Sequence, residues 1–232
     1  MNLLAIDCAC SFLSVAASRG DEIFITAAEG AMKQSEIIMD CIDSVMRKAS
    51  LQPKDLNGVL CMGGPGSFTG LRIGYSIAKG LALSLAIPFA AVPTLDCIAL
   101  AAHGNEREND ALILSIINAN KHAFYYAFYR SEMRLAPDSD GDCGQIINEI
   151  KSLVKPKEKI IIAGPGSALF YRSLPQDLAG DISIVCSEDS RAKEENAGYS
   201  EEIIAIVKKL NILDNDSSAF LYSGPEYKRP PV

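Results

Sequence analysis

Histidine is scarce in this sequence, with two among 232 residues, His103 and His122. Neither belongs to a His-x-x-x-His or His-Glu-x-x-His pair, so the ligand spacing of a zinc hydrolase is missing. Excess positive charge is lacking too. Lys and Arg total 22 against 29 Asp and Glu, which leaves no overall field to draw in a phosphodiester backbone and argues against unaided nucleic-acid binding. The seven cysteines are an odd number scattered through apolar runs and loops, and they form no disulfide framework. Cys8-Ala9-Cys10 lacks the two-residue spacer of a zinc or redox motif, and core packing in a reducing compartment suits such thiols. No long apolar run is unbroken. Leu71 to Val92, the most apolar stretch, is interrupted by Arg72, Lys79 and Pro88, and Met1 to Ile6 begins a strand without the succession of a secretory signal. A cytoplasmic chain with no membrane contact is the expectation.

What is present centres on Cys61 to Tyr75, where an apolar strand runs into a glycine-rich turn that opens a helix. Gly63, Gly64 and Gly66 permit backbone conformations closed to other residues, and Ser67 or Thr69 can cap the following helix. Backbone donors at such a start favour anions. The turn nevertheless has no Gly-Lys-Ser/Thr of a Walker loop, and Gly64-x-Gly66-x-x-x-Gly70 is one residue too long for a dinucleotide fingerprint. The Gly-x-Ser-x-Gly of a nucleophile elbow is also missing. Asp7, at the end of the first apolar run, is a candidate ligand for a phosphate-bound Mg²⁺ or a capped turn carboxylate, and Cys8 and Ala9 supply no hydroxyls for a phosphate.

Taken in order, Asn2 to Asp7, Phe12 to Ala17 and Glu22 to Ala27 read as three antiparallel strands with short connections. From Ser35 to Ala49 the period becomes helical, with Ile37, Cys41, Val45 and Ala49 on one ladder and Ile38, Ile42 and Met46 on the next. Met39 widens the apolar arc further, so this helix serves either two contact surfaces or one broad core stripe. A second helix, Thr69 to Leu85, is apolar or small nearly all round. Its ridges Gly70-Gly74-Ala78-Ala82 and Ser76-Gly80-Ser84 allow close helix approach on two sides. Residues 103 to 110 form a charged boundary between an N-terminal lobe over 1–103 and a C-terminal lobe over 111–232, with the lobe of 195–232 left open. The second lobe contains strands at Ala111 to Ile117, Phe124 to Tyr129, Lys159 to Ala163 and Ile182 to Cys186. Arg134 to Gly144 reads as loop, and helices are expected at Ile146 to Val154 and Ser200 to Leu210. Gly-Pro-Gly-Ser occurs at Gly64 to Ser67 and again at Gly164 to Ser167, with Gly164 and Gly166 placed like Gly64 and Gly66. This echo points to two lobes of related construction.

Leu4-Ala-Ile-Asp7, the helix start Gln34-Ser35-Glu36, and above all Gly64 to Gly74 with Ala78-Lys79-Gly80 resemble the TsaB (YeaZ) family. The likeness covers the first hundred residues well and the second half mainly through strand order and Tyr227 to Arg229. The resemblance implies an α/β fold with mixed sheets flanked by helices, two-lobed and actin-like or hexokinase-like (ASKHA). It implies a role in making threonylcarbamoyladenosine at position 37 of tRNA, as a non-catalytic relative and heterodimer partner of the transferase TsaD. The ATPase TsaE joins that pair, ATP and Mg²⁺ are used by the complex, and tRNA is met only through it. Three features depart from the family pattern: Gln34 replaces a histidine, Cys8 and Ala9 replace hydroxyl residues, and Asn118-Ala119-Asn120 replaces Asp-Ala-Arg. These departures weigh against retained nucleotide binding. The expected partner face comprises Ile37, Ile38, Cys41, Ile42, Val45, Leu71, Ile73, Gly74, Ile77, Ala78 and Leu81, and alone it would pair two copies as a homodimer. A vestigial anion or nucleotide site would comprise Asp7, Gly64, Gly66, Ser67, Thr69, Gly164 and Gly166. The rival reading is an ATP-dependent phosphotransferase or a peptidase of the same fold.

Overall fold

Short connections and alternating apolar residues make the first three strands neighbours. In the structure, a computed structural model, β1 (Leu3–Asp7), β2 (Phe12–Arg19) and β3 (Glu22–Glu29) pair antiparallel, with Leu3 opposite Ser18 and Phe12 opposite Glu29. Gly20, at φ +61°, makes the β2–β3 turn. The structure describes residues 1–29, 33–105, 111–119, 122–131, 133–156, 158–175, 182–185 and 198–214. Adding β4 (Gly58–Gly64) and β5 (Phe89–Pro93) in parallel gives the order β3-β2-β1-β4-β5.

Strand alternation then decides which helix covers which side. Leu4, Ile6, Leu13, Val15, Val59 and Cys61 meet the buried residues of α1 (Gln34–Lys48) and α2 (Phe68–Leu85) in one core. The alternate set, Leu3, Ala5 and Asp7, points the other way. On that side lies α6 (Ser200–Leu210), which buries Ile203, Ile204 and Val207. Each fully buried aliphatic side chain of this kind contributes roughly 1.5–3 kcal/mol. The terminal helix therefore belongs with the first sheet, a placement the sequence left open.

The second sheet repeats the plan. β6 (Leu112–Asn118) pairs antiparallel with β7 (Ala123–Arg130) and parallel with β10 (Ile160–Ala163), which pairs parallel with β11 (Ile182–Val185). Gly64 and Gly164 share a left-handed φ, +104° and +105°, although of the Gly–Pro bonds in these two turns Gly64–Pro65 alone is cis. The Gly-Pro-Gly-Ser echo thus marks related turns after equivalent parallel strands. Leu114, Ile116, Phe124, Tyr126 and Phe128 pack against Ile146 and Ile150 of α4 (Cys143–Leu153), and Phe170 of α5 (Ser167–Tyr171) stands edge-on to Phe124 at 5.6 Å.

Two sequence expectations need correction here. Arg134 to Gly144 is not all loop, because β8 (Met133–Arg134) and β9 (Ser139–Asp142) pair with β7, and α4 starts at Cys143. The compact units are residues Met1–Thr94 with Ala192–Val232, and Leu95–Arg191, so the division falls at Thr94 and not at 103–110. α3 (Thr94–Asn105) is tied to the second sheet, since Asp96 Oδ1 accepts hydrogen bonds from Tyr129 Oη and Arg134 Nη2, both at 2.6 Å. Charged residues 106–110, Asn120, Cys186 and the tail 215–232, with its Tyr227 to Arg229 likeness, lie outside the described residues.

Candidate functional site

The turn after β4 is built for close approach, and the backbone that approaches is the chain's own. Ser67 N–H donates to Ala9 C=O at 2.8 Å, and Ser67 Oγ caps α2 by accepting from Gly70 N–H at 3.2 Å. A Cβ on Gly66 would stand 2.6 Å from Ala9 O, and one on Gly70 would overlap Cys8 O. These two glycines are required because the β1–β2 loop lies against the start of α2. Gln34 reaches the same loop, its buried Nε2 donating to Cys10 C=O at 3.3 Å. Ser67 and Thr69 remain exposed.

Asp7 is fully buried. Its Oδ1 accepts from Ala9 N–H and its Oδ2 from Tyr199 N–H, each at 2.9 Å. Tyr199 is the N-cap of α6, so the carboxylate sits where a helix N-terminus favours negative charge. The second turn is also closed by backbone of its own unit, but through Gly166, while Ser167 N–H bonds locally to Gly164 C=O at 3.0 Å. Gly166 N–H donates to Ile116 C=O at 3.0 Å, and a Cβ on Gly164 would lie 2.7 Å from that oxygen. Among the described residues no group of three or more His, Cys, Asp or Glu is placed to hold a metal ion. Burial, then the charge of Asp7, pushes the Cys8 thiol far above its ordinary range, and burial does the same to Cys61. Such thiols are poor nucleophiles.

The expected partner face divides. Ile38, Cys41, Ile42, Val45, Leu71, Gly74 and Ala78 are buried in the unit's own core and cannot line an exposed surface. Gly74 faces Cys8 and Ile6, so the Gly70-Gly74-Ala78-Ala82 ridge lies against the sheet. Ile37, Ile73, Ile77 and Leu81 are half-buried at the core's margin. The open side of α2 carries Arg72, Ser76, Gly80, Leu83 and Ser84, and nothing lies within 4 Å of a Cβ built on Gly80. Leu83, 66% exposed, was not in the expected set, and neither was Met39 of α1 at 48%. Periodicity finds Met39 but cannot select Leu83, because α2 is apolar on nearly every side. The Arg72 guanidinium stacks on the Phe68 ring at 3.9 Å, while Lys79 turns inward over Tyr75 and Phe89.

The family model described as TsaD: tRNA N6-adenosine threonylcarbamoyltransferase matches residues 28–186. The tRNA threonylcarbamoyladenosine biosynthesis protein TsaB of Buchnera aphidicola (Schizaphis graminum) is 34% identical over 71% of this chain and 78% of its own length. The chain belongs to the TsaB family. TsaB of Bacillus subtilis is 28% identical over 78% of this chain and 77% of its own length. A Pseudomonas aeruginosa structure described as similar to peptidase YEAZ superposes with a TM-score of 0.79 over 98% of this chain and 99% of that one, at 17% identity. The TsaB assignment places the chain in tRNA threonylcarbamoyladenosine biosynthesis, and the fold is the α/β one expected, with mixed sheets flanked by helices. No helix among the described residues is long and apolar enough to cross a membrane.

Proposed function

We propose that this chain is a non-catalytic, cytoplasmic subunit that pairs with TsaD through the open side of α2 and the adjoining edge of α1. One observation carries the reading. The glycine turn that would cradle a phosphate is filled by Cys8 and Ala9, whereas the helix it launches leaves Ser76-Gly80-Ser84 uncovered between Ile73, Ile77 and Leu83. Small residues let a second helix approach closely, and the flanking aliphatic side chains supply burial. A chain with seven more acidic than basic residues would meet tRNA only within a complex whose other members, TsaD and TsaE, use ATP and Mg²⁺. The match of a TsaD family model to residues 28–186 favours a partner of related construction.

Pull-down and calorimetric titration against TsaD test this. Wild type should associate, and Gly80→Leu, whose Cβ meets nothing within 4 Å in the free chain, should fold normally but associate poorly. A phosphotransferase remains the rival. Tight ATP binding by the isolated chain, with phosphate transfer lost in Asp7→Asn, would establish that rival.

A further inference from the structure

Four hydrogen bonds run in series from the C-terminal helix to the start of α2. Tyr199 N–H, at the N-cap of α6, donates to Asp7 Oδ2 at 2.9 Å, and Asp7 Oδ1 accepts from Ala9 N–H at 2.9 Å. Ala9 C=O accepts from Ser67 N–H at 2.8 Å, and Ser67 Oγ accepts from Gly70 N–H at 3.2 Å. Asp7, Ala9, Gly70 and Tyr199 are buried. Water is therefore a poor substitute for most of these links, and each lost one leaves a polar group unsatisfied.

The packing around the relay is equally tight. Ser14, opposite Asp7 on β2, meets Ser200 Oγ with its own Oγ at 2.5 Å. Gly198 has φ +92°, and a Cβ there would collide with Ser14 Cβ and stand 3.3 Å from Asp7 Oδ2. A glycine is required at that position by both conformation and space. At the other end, the α2 N-cap is held by Ala9 on one side and its own cap on the other. The direction in which α2 leaves the turn depends on where Ala9 is held.

We infer that Asp7 is a positioning residue for partner docking: its carboxylate clamps the start of α6 to the β1–β2 loop and, through Ala9, fixes the N-cap of α2. The inference rests on the docking reading above. An ionised carboxylate bridging two N–H groups makes charge-assisted bonds that a neutral amide does not. In Asp7→Asn one accepting oxygen becomes an NH₂ group, so one of the two N–H donors loses its acceptor.

The test uses the full chain as wild type, Asp7→Asn and Gly198→Ala, with amide hydrogen exchange read residue by residue and affinity for purified TsaD measured by titration. Exchange at Tyr199, Ala9, Ser67 and Gly70 is expected to quicken about tenfold or more in both variants, while β6 and β7 keep their protection. The dissociation constant for TsaD is expected to rise about tenfold, although neither substitution touches the outer side of α2. Gly198→Ala enters the relay from its far end and decides the matter should Asp7→Asn not fold. Faster exchange confined to Tyr199 and Ala9, with Ser67, Gly70 and the affinity unchanged, would overturn the inference and leave a purely local tie. If wild type itself ignores TsaD, the docking reading fails, and the exchange at Ser67 and Gly70 still decides the relay.

Discussion

Gly70 carries the most severe steric demand in the first unit, because any β-carbon there runs into Cys8 O. Gly70→Ala is expected to destabilise the chain by roughly 1–3 kcal/mol, the range of overpacking, measured by urea unfolding. An unchanged midpoint would mean that the β1–β2 loop does not lie against α2. The thiols give a second check. Cys8, Cys61 and Cys97 are buried, whereas Cys10 and Cys143 are partly accessible, so a bulky thiol reagent under native conditions should label the latter pair and spare the former. Rapid native labelling of Cys8 or Cys61 would contradict their placement. A third check is electrostatic. Burial opposes ionisation of Glu158, but hydrogen bonds from Arg130 Nε at 2.7 Å and from Lys155 N–H at 2.7 Å prevail and hold its carboxyl below the usual range. A carboxyl so depressed stabilises the fold above its unfolded pKa of about 4.3, and that contribution is lost as pH falls through the lower folded value. Glu158→Gln should cost roughly 1–3 kcal/mol at pH 7, with the gap from wild type closing below about pH 4. A gap independent of pH would mean that the charge on Glu158 contributes nothing.

The helices behave differently from one another as elements. The two apolar ladders of α1 could be read directly, and both meet the sheet, leaving only Met39 and the half-buried Ile37 at its margin. α2 presents small or apolar residues in every direction, so periodicity marks it as special without saying which side faces inward. Gly74 and Ala78 proved to be the inner ridge and Gly80 part of the outer one. Gly80→Ala should therefore raise stability by roughly 0.5–1 kcal/mol through helix propensity, whereas Gly74→Leu should damage the core, a contrast that thermal unfolding measures. Equal responses would mean that the orientation of α2 is wrong. β8 and β9 escaped sequence reading because they are short and β9 carries Asp140, Gly141 and Asp142 in place of an alternating apolar pattern. The partnership of Asp7 with Tyr199 spans 192 positions and left no local signal in the sequence.

At the scale of the whole molecule, duplication explains most of what was legible. Four repeated residues, Gly-Pro-Gly-Ser, were enough to suggest two related lobes, and the repeated strand pairing bears this out. What escaped was the use of the repeat, because a turn that admits a phosphate and a turn that admits a neighbouring backbone need the same glycines. The distinction lies in Ala9 and Ile116, whose carbonyls take the donors of the two turns. On this account the chain has kept an ancestral framework while its first turn serves to aim α2 at a partner. The most direct measurement is the affinity of the purified chain for TsaD, compared between wild type and Ile77→Asp, with circular dichroism confirming the fold. The account predicts binding by wild type and a loss of at least about a hundredfold when a charge enters the edge of the docking face. Equal affinity in a folded Ile77→Asp variant would contradict it.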